Sequence, residues 1–132
     1  MFSKKQKQPP IKSLIAHGSA IEGNLTFTDG LRIDGHIIGN VFANSEDYSM
    51  LVISEDARVV GEVRANHVII NGRVEGPVIA TELLELQPKA SIVGDVHYKA
   101  LEMHQGATIA GQMFPNAQIE EKPTLVLAAN NG

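Results

Sequence analysis

Apolar and polar positions in this chain alternate in short bursts that keep returning. "ARVVGEVRA" (residues 57–65), "GRVEGPVIA" (72–80) and "ASIVGDVHY" (90–98) are versions of one phrase, in which a β-branched residue, a glycine and another β-branched residue stand two apart. Aligned on Gly23, Gly39, Gly61, Gly76, Gly94 and Gly111, the phrase recurs at spacings of 16, 22, 15, 18 and 17. The longest spacing contains "NSEDYS" (44–49), a polar, loop-like stretch that accounts for the excess. Two residues before each glycine stand Ile21, Ile37, Val59, Val74, Ile92 and Ile109, all β-branched. Two residues after stand Leu25, Val41, Val63, Val78, Val96 and Met113, all apolar. The position directly after the glycine (Asn24, Asn40, Glu62, Pro77, Asp95, Gln112) never holds an aliphatic or aromatic residue. This is period-2 alternation, so each phrase reads as a short strand with one buried face.

A second strand is expected in each of the first five units, with core pairs Leu31/Ile33, Leu51/Ile53, Val68/Ile70, Leu84/Leu86 and Leu101/Met103. Turn-type residues separate the strands: "TDG" at 28–30, Asn71-Gly72, "QPK" at 87–89 and "HQG" at 104–106. A unit of roughly 17 residues cannot bury its apolar face alone, and stacking supplies a neighbour above and below. The pattern therefore predicts an all-β, single-domain β-solenoid of about six coils, a rod roughly 25–30 Å tall at the usual strand spacing. A β-sandwich also has evenly spaced short strands, but it gives no reason for the same phrase to occupy six positions. The stricter hexapeptide repeat of a left-handed β-helix is not seen. The glycine column marks places where a side chain would crowd the interior or where the backbone bends.

Composition narrows the picture. The chain has 132 residues, 43% of them hydrophobic but only 5% aromatic and none Trp, so the core must be built from small and branched aliphatics. The absence of Cys excludes a disulfide framework, a thiolate metal site and a thiol nucleophile. No apolar run approaches the roughly 20 residues of a spanning helix. The N-terminus lacks the apolar segment of a secretory signal, and Phe2 stands where N-myristoylation needs glycine. A cytoplasmic protein is expected. Charge is asymmetric: Lys4, Lys5, Lys7 and Lys12 all precede the first acid, Glu22, while the rest of the chain holds seven basic and fifteen acidic residues. An acidic body speaks against nucleic-acid binding. No phosphate-cradling pattern is present, so no nucleotide is expected.

The phrases "LRIDGHIIGNV" (31–41), "VIINGRVEGPVIATELLELQPKASIVGDV" (68–96) and "ALEMHQGATIAGQM" (100–113) closely resemble the bactofilins, bacterial polymer-forming cytoskeletal proteins. The resemblance covers nearly all of residues 14–114 and is specific in wording as well as in period. It implies a right-handed parallel β-helix core with flexible termini. It also implies assembly into filaments without nucleotide, joined like end to like end, and a scaffold role for cell-shape or envelope-synthesis proteins.

Elementary physics agrees with a polymer. A solenoid is open at both ends, where strand edges are unpaired and the apolar cross-section is bare, and soluble solenoids usually hide these behind caps. Here "TIAGQMFP" ends the pattern with no capping helix in the sequence. Met113 and Phe114 at one end, and Leu25 and Phe27 in the first coil, are the expected polymer-interface residues. Alternatively, Phe114 closes the core of its own subunit.

Residues 1–13 form a basic arm broken by Pro9-Pro10, expected to be disordered. Met1 and Phe2, followed by Lys4, Lys5 and Lys7, make an apolar tip with basic neighbours, suited to an anionic leaflet, where each Lys is worth about 1 kcal/mol. The arm also resembles the membrane-targeting peptides of some bactofilins. The expected location is thus peripheral, at the inner face of the cytoplasmic membrane, with filament avidity compensating for weak single arms. The alternative is a solubilising tail. Residues 115–132 also read as disordered; a bland tail is the expectation, with "TLVLAA" (124–129) as a partner motif the alternative.

An enzyme of the left-handed β-helix kind would need aligned ligands. Counted from the glycines, His36 stands at −3, His67 at +6 and His97 at +3, and His17 and His104 fit no shared column. Glu55-Asp56 and Glu82/Glu85 lack a recognisable nucleophile–base partner and read as solvated surface. No catalytic, cofactor or metal site is assigned on this basis. The expected function is a filament-forming scaffold; the alternatives are a monomeric β-helix adaptor and, more remotely, that enzyme.

Overall fold

The computed structural model describes residues 9–44 and 47–115. The residues expected to bind membrane (Met1, Phe2, Lys4, Lys5, Lys7) and the tail from 116 onward lie outside them. The described chain is all-β and winds through six coils of a parallel solenoid. The first coil holds β1 (Ile11–Ile15), β2 (Ala20–Glu22) and β3 (Leu25–Phe27). The second holds β4 (Gly30–Ile33), β5 (His36–Ile38) and β6 (Val41–Ala43). The third begins with β7 (Met50–Ile53) and β8 (Arg58–Val60). It closes with the first half of β9 (Val63–Ile70), which bends without a break into the fourth coil. There follow β10 (Arg73–Glu75), the similarly bent β11 (Val78–Leu86), β12 (Ser91–Val93), the bent β13 (Val96–Met103), β14 (Thr108–Ala110) and β15 (Met113–Phe114).

All pairing is parallel and runs from coil to coil, giving three faces. Face A stacks β1, β4, β7 and the second halves of β9, β11 and β13. Face B stacks β2, β5, β8, β10, β12 and β14. Face C stacks β3, β6, the first halves of β9, β11 and β13, and β15. Each inward column is aliphatic. Leu31, Leu51, Val68 and Leu84 line face A, Ile37, Val59, Val74 and Ile92 line face B, and Val41, Val63, Val78 and Val96 line face C, all buried. Each such side chain contributes about 1.5–3 kcal/mol by leaving water.

The expected single strand through each glycine is in fact two strands. The glycine is the corner between faces B and C, and Gly39, Gly61, Gly76 and Gly94 have φ near +150°. The alternation survives the bend because residues two before and two after the glycine both face the core. The corner is stitched by backbone hydrogen bonds, Gly39 N–H to Val60 O and Val41 N–H to Glu62 O, each 2.9 Å. Side chains add a second ladder there: Asn24 Oδ1 accepts from Asn40 N–H (3.0 Å), and Asn40 Oδ1 accepts from Glu62 N–H (2.9 Å). The long spacing falls at the corner between faces C and A, between β6 and β7. Ser49, just before β7, is buried, its hydroxyl donating to Asn66 Oδ1 at 3.0 Å, and Asn66 Nδ2 donates to Thr81 Oγ1 at 2.7 Å.

One boundary differs from expectation. β1 begins at Ile11, inside the segment expected to be disordered, and pairs with β4. Its pairing is a backbone interaction with the open edge of the second coil. Most of its side chains stay exposed, so hydropathy did not report it.

Candidate functional site

The two end coils carry the expected interface residues. At the N-terminal end the outermost strands are β1, β2 and β3. Leu25 is half-buried against the core, but Phe27 is only 6% exposed and packs within it, leaving little surface for a second subunit. The apolar surface at this end comes instead from β1, where Leu14 is 56% exposed and Ile11 also stands in solvent. Lys12 Nζ lies 2.7 Å from Asp29 Oδ2, an ion pair that ties β1 to the next corner and raises the Lys12 pKa.

At the C-terminal end the outermost strands are the second half of β13, β14 and β15. Met103, Met113 and Phe114 are exposed, at 44, 43 and 37%. Leu101 and Ile109 face the core and are only partly buried. Met113 continues the inward column of face C, in register with Val96. Phe114 pairs with His97 on the outer side of that face, the two rings stacked with centroids 4.7 Å apart. Phe114 therefore does not close the core of its subunit. Gly94 and Val96 donate their N–H groups to Ala110 and Gln112 of the next coil. Gly111 and Met113 repeat those positions with no coil beyond them among the described residues. The edge is a ready template for another strand.

A second grouping lies on face A. His67, in β9, is 4% exposed, and its Nε2 has no hydrogen-bond partner among the described residues. That atom is 3.8 Å from Glu85 Oε1 on the next coil. His104 Nε2, just past β13, is 3.9 Å from Glu85 Oε2 and 3.5 Å from Glu102 Oε2. Gln87 Nε2 donates to Glu85 at 3.2 Å. Burial lowers the His67 pKa, outweighing the opposing pull of Glu85 and Glu102. Counting from the glycines kept these histidines apart. They do occupy different columns: His67 is in register with Leu83 and Ala100, four positions before His104, and the two approach Glu85 from the coils on either side of it.

A parallel β-solenoid whose end coils carry no cap among the described residues defines a class of stackable rod proteins. The chain belongs to the bactofilin family, whose model, described as polymer-forming cytoskeletal, matches residues 13–113, almost the whole solenoid. It is also similar to Bactofilin BacO of Myxococcus xanthus (strain DK1622), 24% identical over 101 residues that cover 76% of this chain and 77% of that protein. No solved structure gives a significant match.

Proposed function

We propose that this chain self-assembles through its terminal coils into nucleotide-independent filaments on the inner face of the cytoplasmic membrane, where they organise cell-shape or envelope-synthesis proteins. The observation that carries the reading is the pair of ends left open among the described residues: strand edges rimmed by Ile11 and Leu14 on one side and by Met103, Met113 and Phe114 on the other. Joining such ends pairs backbone groups and covers apolar surface, which needs no bound energy source. The membership in a polymer-forming cytoskeletal family supports it. The basic arm supplies membrane attachment, weak per chain and strong per filament.

Negative-stain electron microscopy of the purified protein, with no nucleotide or metal added, tests assembly. Filaments are expected in the parent chain. Small particles only would overturn the polymer reading in favour of a monomeric adaptor. Liposome sedimentation tests attachment: deletion of residues 1–8, which leaves β1 intact, is expected to leave filaments in the supernatant. Continued coating of anionic liposomes by the deleted chain would overturn the arm's role.

A further inference from the structure

Face A lacks its next layer at the C-terminal end. The second half of β13 pairs with β11 on one side. On its other side only Val96 and His97 of β13 have partners, Met113 and Phe114 of β15. Beyond His97 that edge is open among the described residues. The side chains register the same gap. Leu84 and Leu86 of β11 are fully buried, whereas Leu101, which repeats the place of Leu84, is only partly buried, and Met103, which repeats that of Leu86, is 44% exposed. Such an edge accepts a parallel strand that carries two apolar residues two apart.

A strand of that kind is present in the same chain. Leu125-Val126-Leu127, inside "TLVLAA", repeats Leu51-Val52-Ile53 and Val68-Ile69-Ile70, the face A strands of the third and fourth coils. In both triplets the first and third residues are buried and the middle one is half-exposed. The tether fits as well. Met113 and Phe114 stand in the register places of Val41 and Phe42 on face C, so face A is the next place the chain reaches. Residues 44–49 separate β6 from β7 at that corner in the second and third coils. Residues 116–123 separate Pro115 from Thr124, a longer connection for the same step.

We infer that residues 124–129 add to the open edge of β13 as a seventh face A strand and cap the C-terminal end of their own subunit. Leu125 lies over Leu101 and Leu127 over Met103, which places Val126 over Glu102 on the outer side. Cover for four apolar side chains drives the docking, and the short tether supplies the strand at high effective concentration. On the polymer reading, a second subunit stacks on this end only after the strand leaves, so the segment competes with the joint.

The chain has no cysteine, so engineered pairs report proximity directly. Neighbouring strands lie about 4.7–4.9 Å apart, within disulfide reach. The test is oxidation of the full-length Glu102→Cys/Val126→Cys variant below the assembly concentration, read on a non-reducing gel. It should close an intramolecular disulfide at least about tenfold faster than Thr108→Cys/Val126→Cys, whose first thiol is at the same end on face B. Adding Leu125→Asp and Leu127→Asp to the first pair keeps the tether and both thiols and should remove that advantage. Equal rates in the two pairs, an advantage that survives the aspartates, or bonds between chains only would overturn the cap. Light scattering tests the competition separately. A chain truncated after Pro115 should assemble at a concentration at least about twofold lower, as when ends are capped half the time. An unchanged threshold would overturn the competition. No assembly by either chain would fault the polymer reading, with the cap still decided by the disulfide.

Discussion

Gly61 stands directly on Gly39. A Cβ built on Gly61 would collide with the Gly39 carbonyl oxygen and lie 2.6 Å from its carbon. The same holds for Gly76 over Gly61, so the column is a spine of backbone on backbone. With φ at +150°, Gly61 also occupies a conformation that side chains rarely adopt.

Gly61→Ala should therefore combine backbone strain with overpacking, each about 1–3 kcal/mol. Gly23, in the first coil, separates the two effects. It has φ +125°, but an added Cβ there meets nothing within 4 Å. Gly23→Ala should cost only the strain term. Thermal unfolding of the two variants should rank them in that order, and equal losses would mean that the close approach carries no weight.

Much of this was legible beforehand and the rest was hidden for physical reasons. The two six-membered columns flanking the glycines were visible because alternation has period 2 and the glycines fix its phase. The three-faced cross-section was not, because the glycine corner keeps the in–out phase through the bend, so a corner reads like a straight strand. Parity separates the two phenylalanines. Phe27, four after Gly23, is in phase with the core, whereas Phe114, three after Gly111, is out of phase. Their burial and exposure follow from that. The approach of His67 and His104 to Glu85 was beyond reach because the three come from different columns on successive coils, and counting finds only residues that share a column.

The core column offers a calibrated contrast. Leu84 is fully buried on face A, between Val68 and Leu101. Leu84→Ala should destabilise the subunit by about 2–5 kcal/mol. Leu14→Ala, on the exposed edge strand, should change stability by less than about 0.5 kcal/mol. Denaturant unfolding below the assembly concentration measures both.

The side-chain ladder at the glycine corner is broken by Pro77, which has no N–H to donate. Asn40 Oδ1 accepts from the Glu62 N–H, but Glu62 faces proline in the next coil. Asn40→Ala should cost about 0.5–1.5 kcal/mol. Glu62→Ala loses only a 3.8 Å ion pair with Arg64 and should be close to neutral. Equal losses in thermal unfolding would show that the ladder bond is not what Asn40 contributes.

Acid sensitivity has an identifiable source in Asp34. A hydrogen bond from Ser54, aided by Arg32, lowers its pKa below the ordinary 3.8 against the opposing effect of burial. A depressed carboxylate pKa stabilises the fold above the unfolded value, and that contribution disappears as pH falls through the folded one. Melting temperature followed from pH 6 downward should fall more steeply in the parent chain than in Asp34→Asn. The two profiles should converge once Asp34 is protonated in both states. Parallel profiles would remove Asp34 from the acid limb.

The last coil distinguishes two ways a side chain can serve a joint. Met113 lies in the inward column above Val96, so a second subunit docking on this end would bury it as the next core layer. Phe114 lies outside that column, its ring already stacked on His97. Phe114→Ala should cost the subunit roughly 0.5–1.5 kcal/mol for the lost ring pair and weaken filaments partially. Met113→Asp should leave the isolated subunit folded, because its side chain is exposed there, yet place a charge in the covered cross-section and abolish filaments. Circular dichroism at low concentration reports the first property, and electron microscopy at high concentration the second. Filaments persisting in Met113→Asp would move the joint away from the inward column of face C, whatever the Phe114 variant does.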